Sequence, residues 1–160
     1  VIVIAGTAGT GKSTVGVEVA KKYNSKFIEG DSLHPKENVD KMSNNIPLTD
    51  EDRWGWLEQI ALQSAKAASE VDSKVSVVSC SALKKVYRDY IQEKSQDTKF
   101  VFVFLYATID ELIRRTQLRL KHYMKSTMLE SQFAITELPK PDVEPNAQVI
   151  DVTKKTVDEV

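Results

Sequence analysis

Short β-branched runs alternate along this chain with stretches whose apolar residues recur at helical spacing. Residues 1–5, Val-Ile-Val-Ile-Ala, predict a buried strand that breaks into a Gly-rich turn. From 12 to 23, Val15, Val19 and Tyr23 fall at i, i+4 and i+8, which predicts a helix. Residues 26–29 predict a second short strand ending in Gly30-Asp31. The stretch 34–49 carries Pro35, Pro47 and several Asn and suits a helix flanked by loops. Thr49-Asp50-Glu51-Asp52 is a capping-box pattern, and it opens a long helix with Trp54, Leu57, Ala61 and Ala65 on one face. Residues 75–79 predict a third strand and 82–93 a helix. The near-continuous apolar run at 100–106 is the clearest buried strand. Thr108-Ile109-Asp110-Glu111 caps another helix, with Ile109, Leu112, Ile113 and Thr116 facing inward. After a loop holding Pro139, Pro141 and Pro145, residues 149–150 predict a last short strand. Strands alternating with helices make an α/β fold with a mostly parallel sheet, read as one domain over 1–160.

Composition narrows the class. At 160 residues, with 41% hydrophobic and 28% charged, the chain is ordinary globular material with enough length for a core. No apolar run approaches the roughly 18 residues of a membrane span, so no membrane partner is expected. Twenty-two basic residues against 23 acidic ones leave a net charge of −1, which argues against a nucleic-acid partner. A single cysteine, Cys80, excludes an internal disulfide framework and reads as a reducing, cytoplasmic compartment. The chain begins at Val1, without Met and inside a strand, so an upstream targeting segment is left open.

The strongest chemical signal is Gly6-Thr7-Ala8-Gly9-Thr10-Gly11-Lys12-Ser13, which satisfies G-x-x-x-x-G-K-[ST] between a strand and a helix. Glycines let backbone N–H groups turn inward around phosphates, and the helix N-terminus adds positive potential. Lys12 would reach the β- and γ-phosphates, the Ser13 hydroxyl would ligate Mg²⁺, and Thr14 completes the ATP-binding run. A GTPase would pair a D-x-x-G switch turn with an N-K-x-D guanine-reading motif, and the chain lacks that pair. The length is short for a motor or transporter. Small-molecule kinases remain, with Gly30-Asp31 at the end of strand two, where open α/β sheets collect ligands. Arg114, Arg115, Arg119, Lys121 and His122 supply a late basic cluster suited to a lid.

Beyond the phosphate loop, the GD-x-LHP run at 30–35, Asn38, Lys41-Met42, and Pro47 through Arg53 with Trp56-Leu57 resemble the gluconate kinase (gluconokinase) family. So do the CSALKK-x-YRD run at 80–89, His122-Tyr123-Met124 and Ser131-Gln132-Phe133. The Thr7-Ala8-Gly9-Thr10 loop and Asp52-Arg53-Trp54 are most similar to its fungal branch. The resemblance covers 1 to about 142. It implies a three-layer α/β/α P-loop kinase fold of the nucleoside-monophosphate-kinase type, with a five-stranded parallel sheet. A substrate-binding helical insert would span about 32–68 and a helical lid about 114–128. It also implies ATP-dependent, Mg²⁺-requiring phosphorylation of D-gluconate at its 6-hydroxyl. Homodimerisation is left open.

The resemblance and the residue chemistry nominate the same positions. Arg53, Lys84 and Arg88 would meet the carboxylate and phosphate, and His34, Ser81 and Gln132 the hydroxyls. Lys41 and His122 join the substrate set by resemblance. Lys84 and Arg88 lie at i, i+4, so they would point at one ligand or else form a solvated basic face. Arg53 follows three acids and reads alternatively as a surface ion pair. Asp31 would accept the 6-hydroxyl proton, hold Mg²⁺ through water, or simply cap a turn. Arg115 and Arg119 match the lid arginines that would cover the transferring phosphate, with Lys12, Asp31 and Arg119 as the catalytic set. Trp54 and Trp56 read as packing residues. One departure stands out: the family's R-K-G-H-F at the lid is Arg119-Leu120-Lys121-His122-Tyr123 in this chain. The alternatives are a related kinase for shikimate or a nucleoside monophosphate, or a nucleotide-binding module that has lost transfer.

Overall fold

The computed structural model describes residues 1–117 and 126–160. Five strands, β1 (Ile2–Ala5), β2 (Lys26–Glu29), β3 (Ser76–Ser79), β4 (Val101–Tyr106) and β5 (Ala147–Asp151), form one sheet in the order β2-β3-β1-β4-β5. Every pairing is parallel, with Ile4 of β1 opposite Ser79 on one side and Val103 on the other. Between the strands run α1 (Lys12–Lys22), α2 (Lys36–Ser43), α3 (Asp50–Ser69), α4 (Lys85–Lys94), α5 (Ile109–Gln117) and α6 (Ser126–Ile135).

Strand alternation sorts the core into two slabs. Val3, Ala5, Val78, Phe102 and Phe104 face α3 and α4, where they meet Leu57, Ile60, Tyr87 and Ile91. Ile4, Val77 and Leu105 face the other way and pack with Val15, Ala20, Leu112 and Leu129. Strands buried on both faces explain the unbroken apolar runs, and the arrangement is a three-layer α/β/α sandwich. The capping box at Thr49 forms in full: Asp52 N–H reaches the Thr49 hydroxyl, and the Asp52 carboxylate accepts from Thr49 N–H at 2.8 Å. Asp52-Arg53-Trp54-Gly55 spells D-x-x-G, but it lies in the first turns of α3 and not in a switch loop.

Three expectations change. The inward face of α3 is Trp56, Leu57, Ile60, Ala61 and Ser64, while Trp54 and Ala65 are only half-buried. Trp54 instead packs edge-on against Tyr87, with ring centroids 5.8 Å apart. Tyr23 caps the C-terminus of α1 and is exposed, so the buried stripe of that helix is Val15, Gly16 and Ala20.

The third change concerns α4, which starts at Lys85 and not at 82. Ala82 sits at φ 41° and Lys84 in extended backbone, and neither is helical. Lys84 and Arg88 therefore do not point at one ligand. Arg88 is fully buried and bidentate on Glu144, through Nε to Oε1 at 2.7 Å and Nη2 to Oε2 at 2.9 Å. Nη1 also donates to the carbonyl of Ala82 and Nη2 to that of Glu137, each at 2.8 Å. Arg88 is thus a clamp between α4, the loop after β3 and the segment before β5. Removing one partner strands the other charge in the interior. Glu144→Ala should cost about 3–5 kcal/mol in urea unfolding, and a loss below about 1 kcal/mol would show that the pair is not a clamp.

Candidate active site

The phosphate loop turns directly out of β1 into α1. Gly11 at φ 90° takes the left-handed backbone at the helix N-cap with no side-chain cap, so the first helical N–H groups face outward for a ligand. Thr7 and Thr10 are buried, and the Thr10 hydroxyl donates to the Thr7 carbonyl at 2.9 Å. Lys12 Nζ folds back over the loop onto the same carbonyl at 2.9 Å. From α6, the Gln132 side-chain oxygen accepts from Ala8 N–H at 2.9 Å, which ties that helix to the loop. Ser81 anchors the loop from the other side, its carbonyl accepting from Gly6 N–H at 3.1 Å.

The acidic residues come from the end of β2. Ser13 Oγ donates to Glu29 Oε2, and Ser79 Oγ donates to Glu29 Oε1 at 2.6 Å. Sequence reasoning passed over Glu29. The signal was an acid closing a strand two residues before Asp31. Asp31 opens a 3₁₀ turn, Gly30–Leu33, and its side chain is 64% exposed into the cavity mouth. His34 Nε2 lies 3.9 Å from Asp31 Oδ1, and the imidazole stacks on Trp56 at 4.0 Å between centroids. Burial holds His34 down at about 4, with Asp31 pulling it up and Arg53 pushing it further down, so the ring is neutral at pH 7. Trp56, read as packing alone, also lines the cavity and donates from its indole to the Gly30 carbonyl at 2.8 Å.

The basic residues come from α2, α3 and the start of α4. Arg53 is buried to 8% exposure and lines the cavity, while Nη1 donates to the Leu48 carbonyl at 2.9 Å and to the Tyr87 hydroxyl at 3.0 Å. That hydroxyl in turn donates to Asp50 Oδ1, which also accepts from Lys84 Nζ at 3.2 Å. The bond from Tyr87, followed by the one from Lys84, holds the Asp50 carboxyl below its usual range. Burial and Asp50 push the Tyr87 phenol up to about 12. Arg53 is therefore no surface ion pair. Lys41 pairs with Asp52 at 2.8 Å and, with Thr49, brings that carboxyl to about 2. Lys41, Lys84 and Arg88 are not among the residues that line the cavity.

Two cavities meet at Gly9, Gly11 and Thr14 of the phosphate loop. The larger, of ≈770 Å³, holds Lys12, Ser13, Asp31, His34, Arg53 and Ser81, which is ample room for a small polyol. The smaller, of ≈420 Å³, lies between the loop, Arg115 and the C-terminal segment at Val152 to Val160. Arg115 spans it with bonds to Glu111 Oε1 at 2.9 Å and to the Val152 carbonyl at 2.6 Å. The expectations for Arg119, Lys121 and His122, and the middle of the 114–128 lid, lie outside the described residues.

A parallel five-stranded sheet, a phosphate loop at its centre and an acceptor cavity beside that loop define a P-loop small-molecule kinase. The family profile for shikimate kinase matches residues 8–156. A Saccharomyces cerevisiae protein described as "Probable gluconokinase" is 47% identical over 161 residues, covering 98% of this chain and 83% of the relative. The thermoresistant gluconokinase of Escherichia coli is 39% identical, covering 95% of this chain and 84% of that protein. The crystal structure of a gluconokinase from Sinorhizobium meliloti superposes with a TM-score of 0.84 at 42% identity, covering 99% of this chain and 85% of that one. This chain belongs to the gluconokinase family.

His34 sets a pH dependence of folding. Its proton is bound with an ordinary affinity near 6.5 in the unfolded chain and only at about 4 in the folded one. Between those values the unfolded state binds the extra proton, so stability falls as pH falls. Asp52 contributes its own loss only lower, as pH drops towards about 2. Urea midpoints should therefore decline from pH 6.5 to 4 in the wild type and much less in His34→Gln. Parallel curves for the two would contradict the assignment.

Proposed function

We propose that this chain is a gluconokinase, transferring the γ-phosphoryl group of ATP to the 6-hydroxyl of D-gluconate to give 6-phospho-D-gluconate and ADP. The observation that carries the reading is the large cavity beside the phosphate loop. It is lined by a carboxylate, Asp31, a buried guanidinium, Arg53, and Lys12, in a chain close in sequence to named gluconokinases.

Phosphoryl transfer needs positioning and charge neutralisation more than covalent help. Residues 6–14 cradle the phosphates through backbone N–H groups, and Lys12 leaves the Thr7 carbonyl to meet the transferring group. The O6 lone pair forms the new P–O bond as the bond from phosphorus to the β,γ-bridging oxygen breaks. The hydroxyl proton passes to Asp31 and the charge on the leaving oxygen stays with ADP. Arg53 holds the gluconate carboxylate with the N–H groups not engaged by Leu48 and Tyr87, and Ser81, His34 and Gln132 meet hydroxyls. Lys84 and Lys41 act at the rim, swinging from Asp50 and Asp52 towards the acid. Arg115 flanks the base and ribose in the smaller cavity. Arg119 and His122 keep the roles that the family resemblance implies, towards the phosphate and the sugar acid.

The residues fit Mg²⁺. Ser13 and Glu29 offer hard oxygen donors beside the phosphate loop, which suits an ion that keeps several waters. Among the described residues no cluster of three His, Cys, Asp or Glu competes as a cation site. Bound there, Mg²⁺ would neutralise charge shared by the β- and γ-phosphates. Ser13 would be its direct ligand, with Glu29 orienting the hydroxyl and its waters. A cytoplasmic setting accords with the lone thiol, Cys80, which is buried and pushed up to about 12. Among the described residues no helix is long and apolar enough to cross a membrane.

Purified protein with Mg-ATP, offered D-gluconate, shikimate and AMP separately in a coupled ADP assay, should turn over gluconate alone. Asp31→Asn should lower kcat by about 10²–10⁴, and Arg53→Leu should raise KM for gluconate by about 10- to 100-fold. Turnover of shikimate or AMP instead would reassign the acceptor. ATP binding without turnover of any acceptor would favour a non-catalytic nucleotide-binding module.

A further inference from the structure

Asn38, on α2, is only 3% exposed, and both hydrogens of its side-chain amide are spoken for. Nδ2 donates to the backbone carbonyl of Asp52 at 2.8 Å and faces His34 Nδ1 at 3.1 Å. A carbonyl oxygen can only accept, so the nitrogen end of the amide must point this way. The second amide hydrogen then meets His34 Nδ1, which must offer a lone pair. The ring proton is left on Nε2. Stacking on Trp56, itself held to the Gly30 carbonyl, fixes the ring plane. The protonated Nε2 lies 3.9 Å from Asp31 Oδ1. That gap is too long for a direct hydrogen bond and suits one hydroxyl oxygen sitting astride the two groups.

We propose that Asn38 is a positioning residue for the acceptor: it fixes His34 as the Nε2–H tautomer, so that a substrate hydroxyl accepts from His34 and donates to Asp31. The reading rests on the proposed gluconate site and adds the residue that decides what His34 can do there. His34 is a one-way donor and takes no proton. A site built to hydrogen-bond a hydroxyl discriminates against analogues that lack it, because Nε2–H and the carboxylate are then left unmatched.

The chain contains two histidines, so ¹⁵N-detected imidazole spectra resolve them, and His34→Gln assigns the signals. At pH 7 the wild-type His34 should show an unprotonated Nδ1 and a protonated Nε2. Asn38→Ala should admit the Nδ1–H tautomer and raise KM for gluconate about tenfold with a smaller change in kcat. Asn38→Asp should move the proton to Nδ1 outright. A purely structural role would lower the melting temperature of Asn38→Ala without shifting the tautomer, and that pattern would overturn the proposal. So would a protonated Nδ1 in the wild type, a measurement that needs no variant to fold. If gluconate is not the acceptor the wild type shows no turnover of it while the spectra still report the tautomer, so the two failures are distinguishable.

Discussion

The active site depends on how closely the backbone of Gly30 passes that of Ser79. A Cβ at Gly30 would sit 1.8 Å from the Ser79 carbonyl oxygen, so no other residue fits without moving the ends of two strands. The contact is bonded as well as close. Gly30 N–H donates to Ser79 Oγ at 3.1 Å, and the Gly30 carbonyl accepts from the Trp56 indole. The tips of β2 and β3 and the first turns of α3 are thereby locked together. Glu29, on one side of the joint, is delivered to Ser13 of the phosphate loop. Asp31, on the other, is delivered to the cavity mouth.

Much of this was legible in the sequence, for physical reasons. Strand runs buried on both faces, the capping box at Thr49 and the phosphate-loop spacing are local signals, and each appears in the structure where local chemistry puts it. What sequence could not supply was long-range partnership. Helical spacing put Lys84 and Arg88 on one face, but Ala82 adopts a left-handed backbone and delays the helix, and Glu144 captures Arg88 from 56 residues away. Glu29 looked like the polar end of a strand because its partners, Ser13 and Ser79, come from other elements. Trp54 and Trp56 differ by two positions on α3, about 200° around the helix, and only packing against β2 and β3 decides which turns inward.

The cationic side of the cavity is built on preorganisation rather than on many charges. Arg53 would be expensive to bury alone, and the cost is offset by the Leu48 carbonyl and by Tyr87, whose ring lies 5.3 Å beneath the guanidinium. Tyr87 is oriented by Asp50, so one carboxylate at the start of α3 sets the pose of an arginine one turn later through a tyrosine on α4. Lys84 Nζ also lies over this ring, 5.6 Å from its centroid. An acid group entering this corner finds a guanidinium already aimed, and it pays little ordering entropy on that side.

The match to a shikimate kinase profile and the likeness to gluconokinases are compatible once the two cavities are considered apart. The profile match at 8–156 takes in most of the phosphate loop, strands β2 to β5 and the segment near Arg115 and Val152 that lines the smaller cavity. Those parts say phosphoryl transfer and leave the acceptor open, because fold and nucleotide site do not choose a substrate. On the proposed function, the acceptor would be chosen by the 3₁₀ turn at Gly30–Leu33, by α2 and by the start of α3, which line the larger cavity with Asp31, His34, Met42 and Arg53. In the GD-x-LHP run, His34 is held from outside the run by Asn38 and Trp56, and the turn itself by Ser79. On the proposed function, specificity would rest on these supports beneath the short motif as much as on the motif.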